Sequence, residues 1–162
     1  MQHAARYHIA SFENRNPGYA RKMSERLEEI LKAFKDDWDA QEQALRDYIE
    51  TLKAGDVDDF PGLSPESETP FVRLVLDITQ RQAVFNAPRR EKMIALTLDL
   101  LGHIRQEIRR VGFWQSEAQR DGLIRHLVRS LMLEGGLDSA LSKELAYQLV
   151  ALAHHNREIL TR

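Results

Sequence analysis

The feature that most constrains this chain is an apolar stripe of helical period that runs through residues 19–52. Its large side chains recur at steps of three, four and seven residues: Met23, Leu27, Ile30, Phe34, Trp38, Leu45, Tyr48 and Leu52, widened by Leu31 and Ile49. Charged residues fill the opposite face, and no Gly or Pro interrupts the segment. The spacing predicts one continuous amphipathic helix, roughly 50 Å long at ~1.5 Å per residue. Because so long an apolar face must be covered by several other helices, the sequence predicts an all-helical protein.

The rest of the chain divides into shorter helical patterns separated by Gly, Pro and Asn. A first helix is expected over residues 3–12, and later helices over 69–84, 89–111, 116–133 and 138–159. No sustained period-two alternation is present, so no sheet is expected. The predicted fold class is therefore all-α, an irregular bundle of about five to six helices including one very long helix.

A chain of 162 residues suits one domain with a proper core, and a single helical domain over 1–162 is expected. The part of this domain without a helical pattern is an acidic stretch at 55–69 that contains Pro61, Gly62 and Pro65 and no Lys or Arg. Five acids lie there: Asp56, Asp58, Asp59, Glu66 and Glu68. This composition predicts an exposed linker between two helical parts of the domain.

Composition excludes several classes of protein. The absence of cysteine excludes a disulfide framework and Cys-based zinc sites, and it suits a reducing cytoplasm. No apolar run approaches the length needed to span a membrane, so a cytoplasmic protein without a membrane partner is expected. The net charge is −2, but residues 69–162 contain 14 basic and 10 acidic residues, a net of +4. That excess is compatible with an anionic partner without requiring one.

Motifs of metal binding and catalysis are missing from the sequence. Two of the six histidines, His154 and His155, are adjacent, so on a helix they would point about 100° apart and chelate one ion poorly. The sequence has no HExxH, no ExxH of the di-iron bundles, no phosphate-binding loop, no GxGxxG and no GxSxG. We therefore expect no catalytic residue, no metal and no cofactor within this chain.

Six arginines are the candidate binding residues, near the end of one predicted helix and along the next: Arg105, Arg109, Arg110, Arg120, Arg125 and Arg129. Arg105 with Arg109, and Arg125 with Arg129, are i, i+4 pairs that would form short basic stripes able to contact a partner or phosphates. The alternative is that these side chains complement helix dipoles and pair with Glu107, Glu117 or Asp121, and this reading is favoured.

An aromatic pair, Phe113-Trp114, follows Gly112 between two predicted helices. Exposed aromatic pairs often anchor protein interfaces, so these two residues are candidate interface residues. The favoured alternative is that the pair plugs the helix junction from inside.

Three segments, in this order, resemble the C-terminal helical region of the R subunit of type I restriction enzymes. They are HAARYHI at 3–9 followed by YARKMSERLEEIL at 19–31, VGFW at 111–114, and ELAYQLV at 144–150 with the residues that follow. The run SERLEEIL and the FW before a helix are the most specific pieces. The resemblance covers nearly the whole chain, and the acidic linker is its loosest part.

The resemblance implies a role in assembly. In that family the region follows the nuclease and DNA-translocating motor domains, whose catalytic motifs have no counterpart here. It is associated with docking the motor subunit onto the methyltransferase–specificity core. The chain is then expected to be a fragment, or a separately encoded piece, of an ATP-dependent restriction enzyme, and to bind the methyltransferase part of the DNA restriction-modification complex. The alternative is a DNA-contacting helical module that uses the Arg105/Arg109 and Arg125/Arg129 stripes on phosphates.

Overall fold

The computed structural model describes residues 1–56, 60–81 and 85–162. Within that part of the chain the regular structure consists of eight α-helices and no strand, which confirms the all-α class. The helices are α1 (Gln2–Phe12), α2 (Pro17–Ala33), α3 (Trp38–Ala54), α4 (Thr69–Thr79), α5 (Ala87–Ile108), α6 (Glu117–Leu133), α7 (Ser139–His155) and α8 (Arg157–Leu160). Part of the predicted acidic linker (residues 57–59, with Asp58 and Asp59) and the predicted helix end at Val84 lie outside the described residues.

Backbone contacts group the chain into two compact units, Met1–Pro65 and Glu66–Arg162. The unit boundary falls within the predicted linker at 55–69. The expectation of one domain over 1–162 stays a prediction.

The single long helix over 19–52 is the main correction to the sequence analysis, because the structure breaks it between α2 and α3. Asp37 begins α3 as its N-cap, and its Oδ1 accepts a hydrogen bond from the Ala40 amide at 3.0 Å. The Gln41 side chain donates to the carbonyl oxygen of Phe34, which closes the end of α2. Aspartate favours such caps over helix interiors, so the Asp36-Asp37 pair ends the helix without Gly or Pro.

The break lets α2 and α3 pack antiparallel in the first unit. The Tyr48 hydroxyl on α3 donates to the carbonyl oxygen of Met23 on α2 at 2.5 Å. The Tyr19 hydroxyl, near the start of α2, donates to the Thr51 carbonyl near the end of α3 at 3.4 Å. The two halves of the apolar stripe therefore cover each other, and α1 packs against both helices. The buried core of this unit is Ala5, Ile9, Tyr19, Ala20, Met23, Leu27, Leu45, Tyr48 and Leu52.

Two large members of the predicted stripe, Phe34 and Trp38, lie outside the core of this unit. Phe34 at the end of α2 is half-buried. The one exposed member is Trp38. Its side chain is 79% exposed at the first position of α3. The buried position of that turn is taken by Gln41 instead. The stripe was therefore predicted correctly except at the break.

Four helices form the second unit, and each packs against two others. The order is α4, α5, α6, α7 and back to α4, with the short α8 against α7. Buried aliphatic and aromatic side chains from all four helices fill the centre: Phe71, Val72, Val75, Met93, Leu101, Ile104, Leu123, Leu127, Leu131, Leu145, Ala146 and Leu149. Their period of three and four residues on each helix places one apolar stripe toward this core.

The tight turn between α6 and α7 depends on two glycines. A Cβ on Gly135 would lie 2.5 Å from the carbonyl oxygen of Leu131 and 3.2 Å from the Leu96 side chain, so only Gly fits there. Gly136 has φ +63°, a left-handed conformation that side chains disfavour. Asp138 then caps α7 by accepting from the Leu141 amide at 2.8 Å. The turn therefore holds α6 and α7 side by side.

Candidate interaction surface

An open groove lies where α6 and α7 meet, on the surface of the second unit. It encloses about 420 Å³, and its lining is Ile124, Arg125, Val128, Arg129, Met132 and Leu133 from α6 with Lys143 and Tyr147 from α7. Three of its apolar side chains are unusually exposed, with Met132 at 40%, Leu133 at 72% and Tyr147 at 61%. Exposed large apolar side chains that cluster in one concave surface are typical of protein interaction sites.

The sequence of α6 explains why this surface exists. Leu123, Leu127 and Leu131 form the buried stripe of the helix. Ile124, Val128 and Met132 follow each of them by one residue, so they form a second apolar row beside the first. The first row is buried in the bundle, whereas in the second row Ile124 and Val128 are half-buried and Met132 is exposed. This second row was not predicted from the sequence, because only the arginines of this helix were considered and not its apolar positions.

Two of the six arginines that the sequence analysis named as candidate binding residues, Arg125 and Arg129, lie together at the groove. Both are exposed, and they are one turn apart on α6. Lys143 adds a third cation from α7. Among the described lining residues none is acidic, so the groove combines an apolar lining with positive charge from both helices.

The other four arginines are placed differently. Arg105 is half-buried, and its Nη2 donates to the Ser67 hydroxyl oxygen at 3.1 Å, so the predicted Arg105/Arg109 stripe is reduced to Arg109, which is exposed. Arg110 pairs with Glu107 at 2.9 Å. Arg120 is half-buried and donates to the carbonyl oxygen of Trp114. The structure thus places Arg105, Arg110 and Arg120 in contacts within the chain.

The aromatic pair lies at the junction between α5 and α6. Phe113 is only 1% exposed, which matches the favoured reading of a plug and corrects its candidacy as an interface residue. Trp114 is half-buried and packs edge-on against Phe113 and against the His154 ring of α7, with a centroid distance of 4.7 Å to the latter. The exposed residue of this turn is Val111, at 99%.

A pair of stacked histidines joins α5 to α6. The ring centroids of His103 and His126 are 3.9 Å apart and the planes are tilted by 33°. Burial lowers the pKa of His126, the positive charge of a protonated His103 lowers it further, and Glu134 and Glu107 oppose the decrease. The neutral form of the His126 ring is therefore favoured near pH 7, and in that form it can stack on His103 without charge repulsion.

The described residues do not form a metal site, because no three His, Asp or Glu side chains among them lie close enough together to hold a metal ion. Within the same residues no helix is both long and apolar enough to cross a membrane. No protein-family model, curated protein or solved structure matches this chain. The α6–α7 groove is thus the feature of the described surface that carries the functional argument.

Proposed function

We propose that this chain is a non-catalytic helical domain of the R subunit of a type I restriction enzyme, and that it mediates assembly with the methyltransferase–specificity core. The observation that carries the proposal is the α6–α7 groove, whose apolar lining and three cations are suited to a protein partner. The segments that resemble the restriction-enzyme family supply the reason to choose this partner.

The positions of those segments in the fold support the proposal. Segment 3–9 lies in α1 and segment 19–31 in α2, and both contribute buried residues to the first unit. Segment 111–114 contributes the buried Phe113, and segment 144–150 lies in α7, where Leu145 and Leu149 are buried. The buried residues of these segments belong to the architecture of the two units. Segment 144–150 also contributes the exposed Tyr147 to the groove, so the resemblance reaches the proposed interaction surface as well.

The proposal predicts a stable complex between the full chain and the purified cognate methyltransferase–specificity core. Mixed at micromolar concentration, the two should co-elute in size-exclusion chromatography, because standard protein interfaces give dissociation constants at or below this range. The chain alone should show neither ATP hydrolysis nor DNA cleavage. Separate elution of the two at these concentrations, or either activity in a clean preparation, would contradict the proposal.

The second candidate is the DNA-contacting module, which is favoured by the exposure of Arg109, Arg125 and Arg129. If these three side chains contact phosphates, the affinity for duplex DNA should fall about 40-fold when salt rises from about 50 to about 200 mM, because each contact releases a counterion. Electrophoretic mobility shifts at several salt concentrations measure this slope. No shift at the lowest salt concentration excludes the DNA-contacting module.

A further inference from the structure

We propose that the α6–α7 groove binds an acidic amphipathic α-helix of the partner protein. This inference rests on the assembly role above and specifies the chemistry of what docks. It is argued from the shape, the lining and the charge of the groove.

The groove has the dimensions of a site for one helix. From Ile124 to Leu133, α6 rises ~14 Å, about two and a half turns. Three apolar side chains at i, i+4 and i+7 of a docked helix span ~10.5 Å, which fits this length. The groove volume of about 420 Å³ is sufficient for the three apolar side chains of such a helix.

The apolar lining explains what holds such a helix. Leu133 and Tyr147 are largely exposed in the free chain, and a docked helix would remove both from water. Burying apolar surface is worth roughly 25 cal/mol per Å², and aromatic residues such as Tyr are frequent binding hot spots. DNA offers no comparable apolar surface to fill the groove, so these exposed side chains favour a protein ligand.

Charge determines which helix fits. Arg125 and Arg129 lie one turn apart on α6, and Lys143 lies on α7. A ligand helix with Glu or Asp beside its apolar face would bring carboxylates to both helices of the groove. A basic helix would be repelled by the same three cations, because charge complementarity across an interface selects partners as well as attracting them.

The direct test uses the full chain and two designed helical peptides of about 18 residues, a length at which helices are stable enough to study. Both carry Leu at i, i+4 and i+7; one carries Glu beside the Leu face and its matched control carries Lys there. In fluorescence anisotropy the acidic peptide should bind at least about tenfold more tightly than the basic one. Equal affinities, or no binding of the acidic peptide, would overturn the proposal.

Surface variants locate the binding site. The double variant R125E/R129E should bind the acidic peptide at least about tenfold more weakly than the native chain does. It should bind the basic peptide more tightly than the native chain does. The control K92E/R109E makes the same change in net charge on α5 and its C-cap, away from the groove, and should leave both affinities within about twofold. Circular dichroism and thermal unfolding like those of the native chain should show that the double variant is folded, and a gain of basic-peptide binding by the folded variant then reports the exchanged charge of the groove.

Leu133→Ala tests the apolar lining, with Val111→Ala as the control because Val111 is even more exposed and lies outside the groove. Leu133→Ala should weaken the affinity for the acidic peptide about tenfold, and Val111→Ala should leave that affinity unchanged. If multi-angle light scattering instead shows a dimer of the chain that Leu133→Ala dissociates, the groove belongs to a second copy and the proposal is wrong.

The same variants separate this inference from the proposed function. If the methyltransferase–specificity core binds the native chain and R125E/R129E equally well, assembly stands and the groove inference fails. If the acidic peptide binds as described but the core does not, the groove inference stands and the proposed function fails. Competition between the acidic peptide and the core for the chain supports both.

Discussion

Replacing Phe113 with Ala should lower the free energy of unfolding of the second unit by about 3–5 kcal/mol, the range measured for large aromatic side chains in cores. Phe113 is 1% exposed and lies in the turn between α5 and α6, in edge-on contact with Trp114. Its removal would leave a cavity at the junction where these two helices and the Trp114 ring meet. Because domains are stabilised by only about 5–15 kcal/mol in total, this single change should remove a large share of the stability.

Urea denaturation followed by Trp fluorescence measures the effect. The chain has two tryptophans, so a Trp38→Phe background leaves Trp114 as the reporter of the second unit. Val111→Ala in the same background is the control and should change the free energy by less than about 0.5 kcal/mol, because its side chain is 99% exposed. If Phe113→Ala left stability unchanged and weakened binding of a partner, the residue would be an interface anchor after all.

Replacing Tyr48 with Ala should destabilise the first unit by a similar amount, about 3–5 kcal/mol. Tyr48 is 1% exposed, and it links α3 to α2 through its hydrogen bond to the Met23 carbonyl. Tyr48→Phe keeps the ring and loses only that bond, so it should cost about 1 kcal/mol. Hydrogen exchange of amides in α2 and α3 reports on this unit alone. Equal protection in Tyr48→Ala and the native chain would show that the contact does not hold the two helices together.

The same tyrosine should make the first unit sensitive to alkaline pH. Burial raises the pKa of the Tyr48 hydroxyl to about 12, Tyr19 adds to the rise and Arg26 opposes it. The folded chain therefore keeps a proton that the unfolded chain, with a pKa of about 10, releases. This contribution to stability is complete below pH 10 and is lost as the pH rises from about 10 toward about 12. Ultraviolet absorbance of tyrosinate should show a late-titrating group in the native chain that Tyr48→Phe lacks.

Local chemistry near helix ends was the most predictable part of this fold. The end of α1 at Phe12 and the span of α6 follow from turn and cap residues that act within a few positions. Ser116, for example, accepts a hydrogen bond from the Gln119 amide at 3.3 Å, as its spacing predicts. Thr69, a residue type that often caps helices, instead lies within α4 and is buried, and Glu68 holds the cap position.

The break at 34–37 could not be predicted from periodicity. The steps from Ile30 to Phe34 and from Phe34 to Trp38 continue the helical spacing through the turn, so the pattern looks unbroken. The Asp37 cap ends the helix locally, and the packing of α3 back onto α2, where Tyr48 reaches Met23, stabilises the break. The Asp36-Asp37 pair and the buried Gln41 were the only local signs.

Only the part of the candidate site that lies on one helix could be predicted, because sequence spacing reports on neighbours within a helix and not on contacts between helices. Arg125 and Arg129 are neighbours along one helix, so their spacing brought them together in the sequence analysis. Tyr147 and Lys143 come from another helix, and no local pattern joins them to Arg125. Likewise, the hydrogen bond from Arg105 to Ser67 joins residues far apart in the chain, so no local spacing could predict it.

The tight α6–α7 turn has a consequence for how such a surface can change. All lining residues of the groove fall within residues 124–147, because the glycine turn brings consecutive helices together. The exposed lining residues of α6 are interleaved with the buried row but point to a different side of the helix, so substitutions such as those at Arg129 or Met132 leave Leu127 and Leu131 in place. One short, continuous stretch of gene could therefore be exchanged between related chains to transfer a binding preference while the bundle beneath stays the same.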